Sequence, residues 1–353
     1  MRRPVATAAT LAVGVAMITA CGSDDSGTPD VPTVAPATAV EAPATSEPAG
    51  LTVPAPVGSR ALAASGRTVA VVSPDGRQLL RIDTAAMATP PTPVEVPGLT
   101  ALAPDTDGGY LGAGPGALVV VDAEGAARTA ELDTDSPTAV VRAASGQILV
   151  GTADGRVLVY DGDIENGELQ KKHDLREFVR VDSLTAAPAS AEGLDGQVVV
   201  LDRAQSSVTP IDPESGDTGP ALRAGNGATN STVDRFGRIL VANTRDGEIL
   251  GFFGSPLVMR FRYPVADGPY AVDYDESRNL LWVSTTGNNE VVAYDLADGE
   301  PKEKQRFASV VQPDSIAVDE AGTVYVLSAR DGRLQAVPPP GTPLGVTAVE
   351  PGR

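Results

Sequence analysis

The sequence predicts an all-β fold, a seven-bladed β-propeller with four antiparallel strands in each blade. Three observations predict it. A unit of about forty residues recurs seven times, each copy alternates apolar runs with turns, and no stretch of the repeat region keeps a helical period. In the clearest copy, from Pro313 to Val337, the turns Ala321-Gly322 and Asp331-Gly332 separate three apolar runs. Such turns are typical of β-hairpins, since Asp, Asn and Gly tolerate the backbone conformation of tight turns.

The second strand of each blade is an almost continuous apolar run, which is typical of a strand buried on both faces. These runs begin at Thr68, Tyr110, Gln147, Gln197, Arg238, Leu280 and Thr323. The copy near Gln205-Ser206 lacks the turn glycine and is the most divergent. One blade cannot bury two apolar faces alone, whereas seven blades in a ring cover every face.

The last copy supplies only three strands before Pro338-Pro339-Pro340 breaks the pattern. Either Leu51-Thr52-Val53 or the segment 344–347 must supply the fourth strand. Prolines flank both candidates, so each can only be an edge strand. We expect the N-terminal segment to close the ring.

The first residues of the chain predict export. Arg2 and Arg3 precede an uncharged apolar stretch, which ends in Ile18-Thr19-Ala20-Cys21. This ending resembles the bacterial lipobox, which implies that the Cys21 thiol receives a diacylglycerol and that the chain is cut before it. The alternatives are an ordinary export signal with an incidental cysteine, or a short membrane anchor, although the stretch is too short for a stable span.

We therefore expect a signal peptide at 1–20, a tether at 21–56 and the propeller at 57–353. The tether is rich in Pro, Ala and Thr, and would reach roughly 100 Å if extended. Its composition resembles that of actinobacterial lipoproteins. Loss of Arg2 and Arg3 changes the net charge from −19 to −19 − 2 = −21. Such an acidic protein repels nucleic acid, so we expect no nucleic-acid partner. The lipobox-like ending at Cys21 implies a location on the outer, extracytoplasmic face of the cell membrane, and we expect a protein or envelope component as partner.

The repeat itself resembles the NHL and YVTN group of bacterial propellers. The matching residues are the run Pro313 to Asp319, the turn Ala321-Gly322 and the strand Thr323 to Leu327. The resemblance extends over Val57 to Pro338. It implies the fold more than an activity, because the group includes lyases, lactonases, sensors and binding modules.

Candidate catalytic residues are scarce. His173 is the single histidine and lies in a polar stretch, so we expect it on the surface. Zinc sites built on several histidines and Cys–His pairs are excluded by count, and the histidine-dependent streptogramin lyases find no match here. The segment from Asp161 resembles a calcium loop but holds Asn166 and Lys172 where Gly and Glu are required. We expect no catalytic residue, metal or cofactor.

The run Met259 to Tyr263 mixes basic and aromatic residues. Two arginines in so acidic a chain make a weak footprint for nucleic acid. We expect an outer edge strand there.

One mouth of the central channel is the expected ligand site. Alignment of the copies places these residues there: Ser59, Leu99, Thr138, Asp182, Thr229, Tyr270 and Asp314. We expect Asp182, Tyr270 and Asp314 to bind any ligand, with Arg60 nearby. The two aspartates lie three blades apart, about 154° on a seven-fold ring, where they would raise each other's pKa. A water-filled channel without a ligand is the alternative.

Two functions remain open. The favoured one is a lipid-anchored binding or scaffolding propeller. The other is a metal-dependent hydrolase, lactonase or lyase at the channel mouth. The resemblance to gluconolactonase-type propellers suggests Asp182, Asn230 and Asp314 as part of a metal set, but the glutamate of that set is not evident.

Overall fold

The computed structural model describes residues 33–42, 47–162, 164, 169–194 and 196–342. Within these ranges the chain forms 28 strands and one short 3-10 helix, η1 (Thr106–Gly108). The strands make seven antiparallel sheets of four strands each. The predicted seven-bladed propeller is therefore confirmed.

The strands of blades one to four follow in chain order. Blade one holds β2 (Leu62–Ser65), β3 (Thr68–Val72), β4 (Gln78–Asp83) and β5 (Thr92–Glu95). Blade two holds β6 (Ala101–Pro104), β7 (Tyr110–Gly114), β8 (Ala117–Val121) and β9 (Ala127–Glu131). Blade three holds β10 (Pro137–Arg142), β11 (Ile148–Thr152), β12 (Val157–Asp161) and β13 (Gln170–Leu175). Blade four holds β14 (Ser183–Ala186), β15 (Val198–Asp202), β16 (Ser207–Ile211) and β17 (Leu222–Arg223).

The remaining blades complete the ring. Blade five holds β18 (Ala228–Val233), β19 (Ile239–Asn243), β20 (Glu248–Phe253) and β21 (Val258–Pro264). Blade six holds β22 (Pro269–Asp275), β23 (Leu280–Thr285), β24 (Glu290–Asp295) and β25 (Lys302–Ala308). Blade seven holds β26 (Ser315–Val318), β27 (Val324–Ser328) and β28 (Arg333–Val337), together with β1 (Leu51–Pro54).

Burial follows the position of a strand in its blade. The second strands β11, β15, β19, β23 and β27 are buried along their whole length, whereas the outer strands β9 and β21 are largely exposed. The apolar residues of neighbouring blades form shared clusters between the sheets. The core is therefore a ring of layers between blades, as the continuous apolar runs predict.

Glycines in the second strands receive large side chains from the linkers between blades. A Cβ on Gly151 would lie 2.2 Å from Cγ1 of Val181, and one on Gly112 would lie 2.7 Å from Cδ1 of Leu99. Glycine leaves the space that these side chains fill, which explains why β7 looks weak in sequence but is buried throughout.

The divergent fourth blade keeps its turn without glycine. Ser206 adopts a φ of 47°, the left-handed conformation that a turn glycine would take. Its hydroxyl donates to the carbonyl of Ala224 at 3.0 Å and accepts from the amide of Ala228 at 3.0 Å. These bonds hold the unusual turn, so the blade count of seven stands.

The ring is closed by the N-terminal segment. Strand β1 pairs antiparallel with β28, with Leu51 opposite Ala336 and Val53 opposite Leu334. This confirms the expected closure, while the rival segment 344–347 lies outside the described residues. Because β1 precedes residue 57, the first strand of the ring comes from within the segment assigned to the tether.

The two ends of the ring are named here by their turns. The first face carries the turns between second and third strands, such as 286–289 in blade six. The second face carries the turns between first and second strands, such as 234–238 in blade five. No helix in the described part of the chain is long and apolar enough to cross a membrane.

Candidate functional site

The inner strands of all seven blades surround a channel of about 750 Å³. On the side of blades one to three, the inner strands β2, β6 and β10 contribute mostly Ala, Leu and Val. On the side of blades four to six, the wall carries hydroxyl groups and the carboxyl groups of Asp182, Asp273 and Glu276. The channel is therefore apolar on one side and polar on the other.

Hydroxyl groups join the inner strands of blades four and five. The Ser231 hydroxyl lies 3.0 Å from the hydroxyl of Ser183 and 2.9 Å from that of Thr185. Each of these groups can both donate and accept, so the cluster can turn its protons towards a ligand or towards water.

Asp273 on β22 lines the channel and is held by three neighbouring inner strands. It accepts hydrogen bonds from the amide of Val318 at 2.8 Å, from the amide of Tyr274 at 2.9 Å and from the hydroxyl of Thr232 at 3.3 Å. These donors belong to the inner strands of blades five, six and seven, so Asp273 links three blades. Burial raises the pKa of Asp273 to about 6, although the three hydrogen bonds oppose the shift.

Asp182 and Asp314 hold equivalent positions on the first face, directly before the inner strands of blades four and seven. Asp182 lines the channel, whereas Asp314 and Tyr270 are not among the described residues that line it. Asp182 accepts from the amide of Arg203 at 2.9 Å, and Asp314 accepts from the amide of Ala329 at 3.0 Å. Each carboxylate thus caps the turn between the second and third strands of its own blade. Asp182 also pairs with the Arg180 guanidinium at 2.7 Å. Both groups therefore have a structural role whether or not a ligand binds.

Burial raises the pKa of Asp314 to about 6. The charge of Asp182 is not among the causes of this shift, so the mutual repulsion expected across the mouth is not what perturbs Asp314.

The other mouth residues contact backbone groups. Arg60 donates to the carbonyls of Pro74 at 2.8 Å and Leu99 at 3.3 Å. The carbonyl of Tyr270 accepts from the side-chain amide of Asn230 at 3.0 Å. These contacts tie neighbouring blades together at the rim.

The alignment was one residue out of register in the first two blades. Leu99 is fully buried against Gly112, and Ser59 is buried and donates to the carbonyl of Pro56. The positions that line the channel are Arg60 and Thr100 instead. The packing of Leu99 into the glycine gap fixes this register.

The remaining candidates lie away from the channel. His173 is on the outer strand β13, with Nε2 at 3.1 Å from the carbonyl of Glu214. Met259 to Tyr263 belong to the outer strand β21, as expected, and Arg262 pairs with Glu248 at 2.6 Å. Cys21 lies outside the described residues, as do most residues of the loop that follows Asp161.

The segment 33–42, here called the N-terminal strap, lies on the first face across blades four to seven. The amide of Val34 donates to the carbonyl of Ala204 at 2.7 Å. The guanidinium groups of Arg245 and Arg203 donate to the carbonyls of Ala35 and Ala37. The propeller thus binds this segment largely through its backbone.

The far end of the N-terminal strap contacts blades six and seven. The amide of Val40 donates to the Thr286 hydroxyl at 2.9 Å, and its carbonyl accepts from the Gln312 side chain at 2.9 Å. Gly268 leaves room for Val40, because a Cβ there would lie 2.6 Å from Cγ2 of Val40. Backbone recognition of this kind accepts many sequences, provided that the side chains are small.

The sequence patterns above predict neither the place of Asp273 in the channel nor the contacts of the N-terminal strap. A possible signal for Asp273 is a carboxylate inside the alternating run of an inner strand, Tyr270 to Tyr274. The strap has no such signal, since its contacts use backbone groups that every residue carries.

Comparison with known proteins places the chain by fold. No protein-family model and no curated protein match it. Virginiamycin B lyase from Staphylococcus aureus is similar in structure, with a TM-score of 0.64, 13% identity, and coverage of 81% of this chain and 97% of that chain. Hydrazine synthase from Kuenenia stuttgartiensis gives a TM-score of 0.64, 15% identity, and coverage of 85% and 100%. A chain of the mitotic checkpoint complex gives 0.66, 14%, and coverage of 87% and 99%. At these identities the similarity shows the propeller fold alone.

Proposed function

We propose that the chain is lipid-anchored on the extracytoplasmic face of the cell membrane and that its propeller binds a protein or envelope component. The observation that carries this proposal is the N-terminal strap. Its contacts to Arg203, Arg245, Thr286 and Gln312 are those of an extended peptide on a receptor surface. A surface that holds one extended segment through backbone groups is chemically suited to binding polypeptide.

The N-terminal strap also sets the geometry of the proposed anchor. If Cys21 carries the lipid, residues 21–32 separate it from the strap, which is 32 − 20 = 12 residues. At about 3.6 Å per residue they span at most about 43 Å, well short of the roughly 100 Å expected for the whole segment. The first face would then be turned towards the membrane and the second face away from it.

A metal-dependent hydrolase, lactonase or lyase was the alternative. The described residues contain no group of three or more His, Cys, Asp or Glu side chains arranged to hold a metal ion. One similar structure is a catalytically inactive histidine-to-alanine variant of virginiamycin B lyase with quinupristin, at a TM-score of 0.63 and 16% identity. The single histidine of this chain, His173, lies on an outer strand. The backbone contacts of the N-terminal strap favour a binding function over these reactions.

The anchor is tested by expressing the full chain and its Cys21→Ala variant in a bacterium that processes lipoproteins. We expect the parent chain to incorporate labelled palmitate and to partition into detergent, because two acyl chains suffice for stable anchoring. The variant should be unlabelled and should leave the detergent phase. Equal partition of the two proteins would contradict the proposal.

The binding role is tested by chemical cross-linking in the same cells, followed by identification of the products. We expect a discrete cross-linked partner for the anchored chain, with a reduced yield for Cys21→Ala because the variant is no longer concentrated at the membrane. Cross-linking that is diffuse in both proteins would contradict a binding role.

A further inference from the structure

Apolar side chains and arginines meet on the second face of blades five and six, where Phe236 is exposed and Phe253 is half-buried against a small apolar cluster of blade four. We call this surface the aromatic–arginine patch and define it by Arg235, Phe236, Phe253 and Arg260, with Val258 and Met259 beside them. Phe236 lies in the turn between β18 and β19, and Phe253 lies at the end of β20. Both turns open on the second face.

The arginines of the patch stack on its rings. Cζ of Arg235 lies 4.9 Å from the centroid of the Phe236 ring, and Cζ of Arg260 lies 5.8 Å from that of Phe253. These stacked arginines keep their outward N–H groups available to an acceptor.

A hollow of about 380 Å³ lies between the two rings. Leu296, Ala297 and Asn279 of blade six complete its wall, and most of that wall is apolar. Its volume admits one aromatic or large aliphatic side chain.

The exposure of the patch is unusual for this protein. Five large hydrophobic side chains are exposed in the described ranges, and three of them are Phe236 at 49%, Val258 at 38% and Met259 at 39%. Their clustering on one face distinguishes them from scattered surface residues, which require no explanation.

The charge of the patch opposes that of the chain. The whole sequence carries −19, yet Arg235 and Arg260 form no ion pair with another side chain in the described structure. Arg238, which also borders the hollow, is neutralised by the buried Asp234. Arg235 also donates to the backbone carbonyl of Glu276 at 3.4 Å. Two guanidinium groups therefore remain for a negatively charged partner.

We propose that the aromatic–arginine patch docks an acidic segment of a partner protein that carries an aromatic side chain beside its carboxylates. The aromatic side chain enters the hollow between Phe236 and Phe253, and the carboxylates pair with Arg235 and Arg260. This inference rests on the proposed binding function and names the class of partner. It places the docking surface on the face away from the N-terminal strap.

The test uses three fluorescent eight-residue peptides with the full chain in detergent micelles. One peptide has Asp and Glu around a central Phe, the second has Lys in place of the acidic residues, and the third has Ala in place of Phe. We expect the first to bind at least about ten-fold more tightly than either of the others. Its affinity should fall with added salt. Preference for an acidic peptide would run against the net charge of the chain, so non-specific attraction would not produce it.

Variants locate the binding surface. Phe236→Ala and the double variant Arg235→Ala, Arg260→Ala should each weaken binding of the first peptide about ten-fold. Val57→Ala is the matched control, because Val57 is 66% exposed and lies on the first face beside Gly332. It should bind like the parent chain.

Two outcomes would overturn the inference. One is equal affinity of the chain for the three peptides. The other is self-association of the chain that is abolished by Phe236→Ala, because the occupant of the hollow would then be a second copy of the chain. Either result leaves the palmitate test of Cys21 untouched, so failure of the patch is distinguishable from failure of the anchor.

Discussion

Gln335 links the N-terminal segment to the last two blades, and its replacement tests how the ring is closed. Its side chain is fully buried on β28. The side-chain amide donates to the carbonyls of Ala49 at 2.7 Å and Ala308 at 3.0 Å, and its oxygen accepts from the amide of Val310 at 2.9 Å. Gln335→Leu removes all three hydrogen bonds at nearly constant volume.

The expected loss of stability follows from these three bonds. A buried hydrogen bond contributes about 0.5 to 1.5 kcal/mol net, so three contribute about 3 kcal/mol. The amide of Val310 would also be left without its acceptor, whereas the carbonyl of Ala308 keeps the amide of Ala49 at 2.9 Å. The apolar gain from leucine offsets part of this cost. We expect a net destabilisation of about 3 kcal/mol.

Urea unfolding followed by circular dichroism measures the change, and amide exchange locates it. Exchange should accelerate at residues 49–54 before the inner strands, because the segment that leads into β1 then keeps only the bond from the Ala49 amide to Ala308 of blade six. Gln78→Leu is the control, since Gln78 also lies on the third strand of its blade but is partly exposed, and its side chain bonds only Glu95, at 2.8 Å. It should change stability by less than about 0.5 kcal/mol. Equal effects of the two variants would refute the reasoning.

Three further predictions concern the strap, the channel and the packing between blades. The double variant Arg203→Ala, Arg245→Ala removes the donors to the carbonyls of Ala37 and Ala35, so amide exchange in residues 33–42 should rise at least about ten-fold. Replacement of the exposed Arg67 by Ala should leave this exchange unchanged. Slow exchange in the double variant would contradict the strap contacts. The pKa of Asp273 is raised to about 6 from its ordinary 3.8, so the folded state favours the protonated carboxyl group. The stability that the protonated group contributes is complete below about pH 4 and is lost as the pH rises through 6. Stability of the parent chain relative to Asp273→Asn should therefore fall between about pH 4 and pH 6 in urea unfolding, and parallel curves would contradict the burial of this group. Gly151→Ala should destabilise the fold by about 1 to 3 kcal/mol because its Cβ would overlap Val181, and Val181→Ala in the same chain should recover part of the loss; no recovery would place the strain elsewhere.

The sequence predicts the blades well because each blade repeats the same local chemistry. Apolar second strands and Asp-Gly turns depend on neighbouring residues, so periodicity alone located them and gave the count of seven. Blade four was the weakest copy, because the role of its missing turn glycine is taken by Ser206 through two buried hydrogen bonds. That substitution is visible only once the turn is folded.

The candidate site was less predictable, because it depends on contacts between blades. The mouth positions were aligned by motif, and the packing of Leu99 into the space beside Gly112 moves the second blade by one residue. The repeat predicts that Asp182 and Asp314 hold equivalent positions in their blades. It does not predict that each carboxylate accepts a hydrogen bond from the turn of its own blade. Asp273 was missed because its partners, Thr232 and Val318, lie on two other blades.

If Cys21 carries the lipid, as we propose, the N-terminal strap should turn the first face towards the membrane and leave the second face open. Cysteine labelling tests it directly, because the chain has no other cysteine. Val57→Cys reports on the first face and Met259→Cys on the second; the native side chains are 66% and 39% exposed. On intact membranes a bulky maleimide should label Met259→Cys at least several-fold faster than Val57→Cys, relative to their rates in detergent. Equal relative rates, or faster labelling at position 57, would contradict the account.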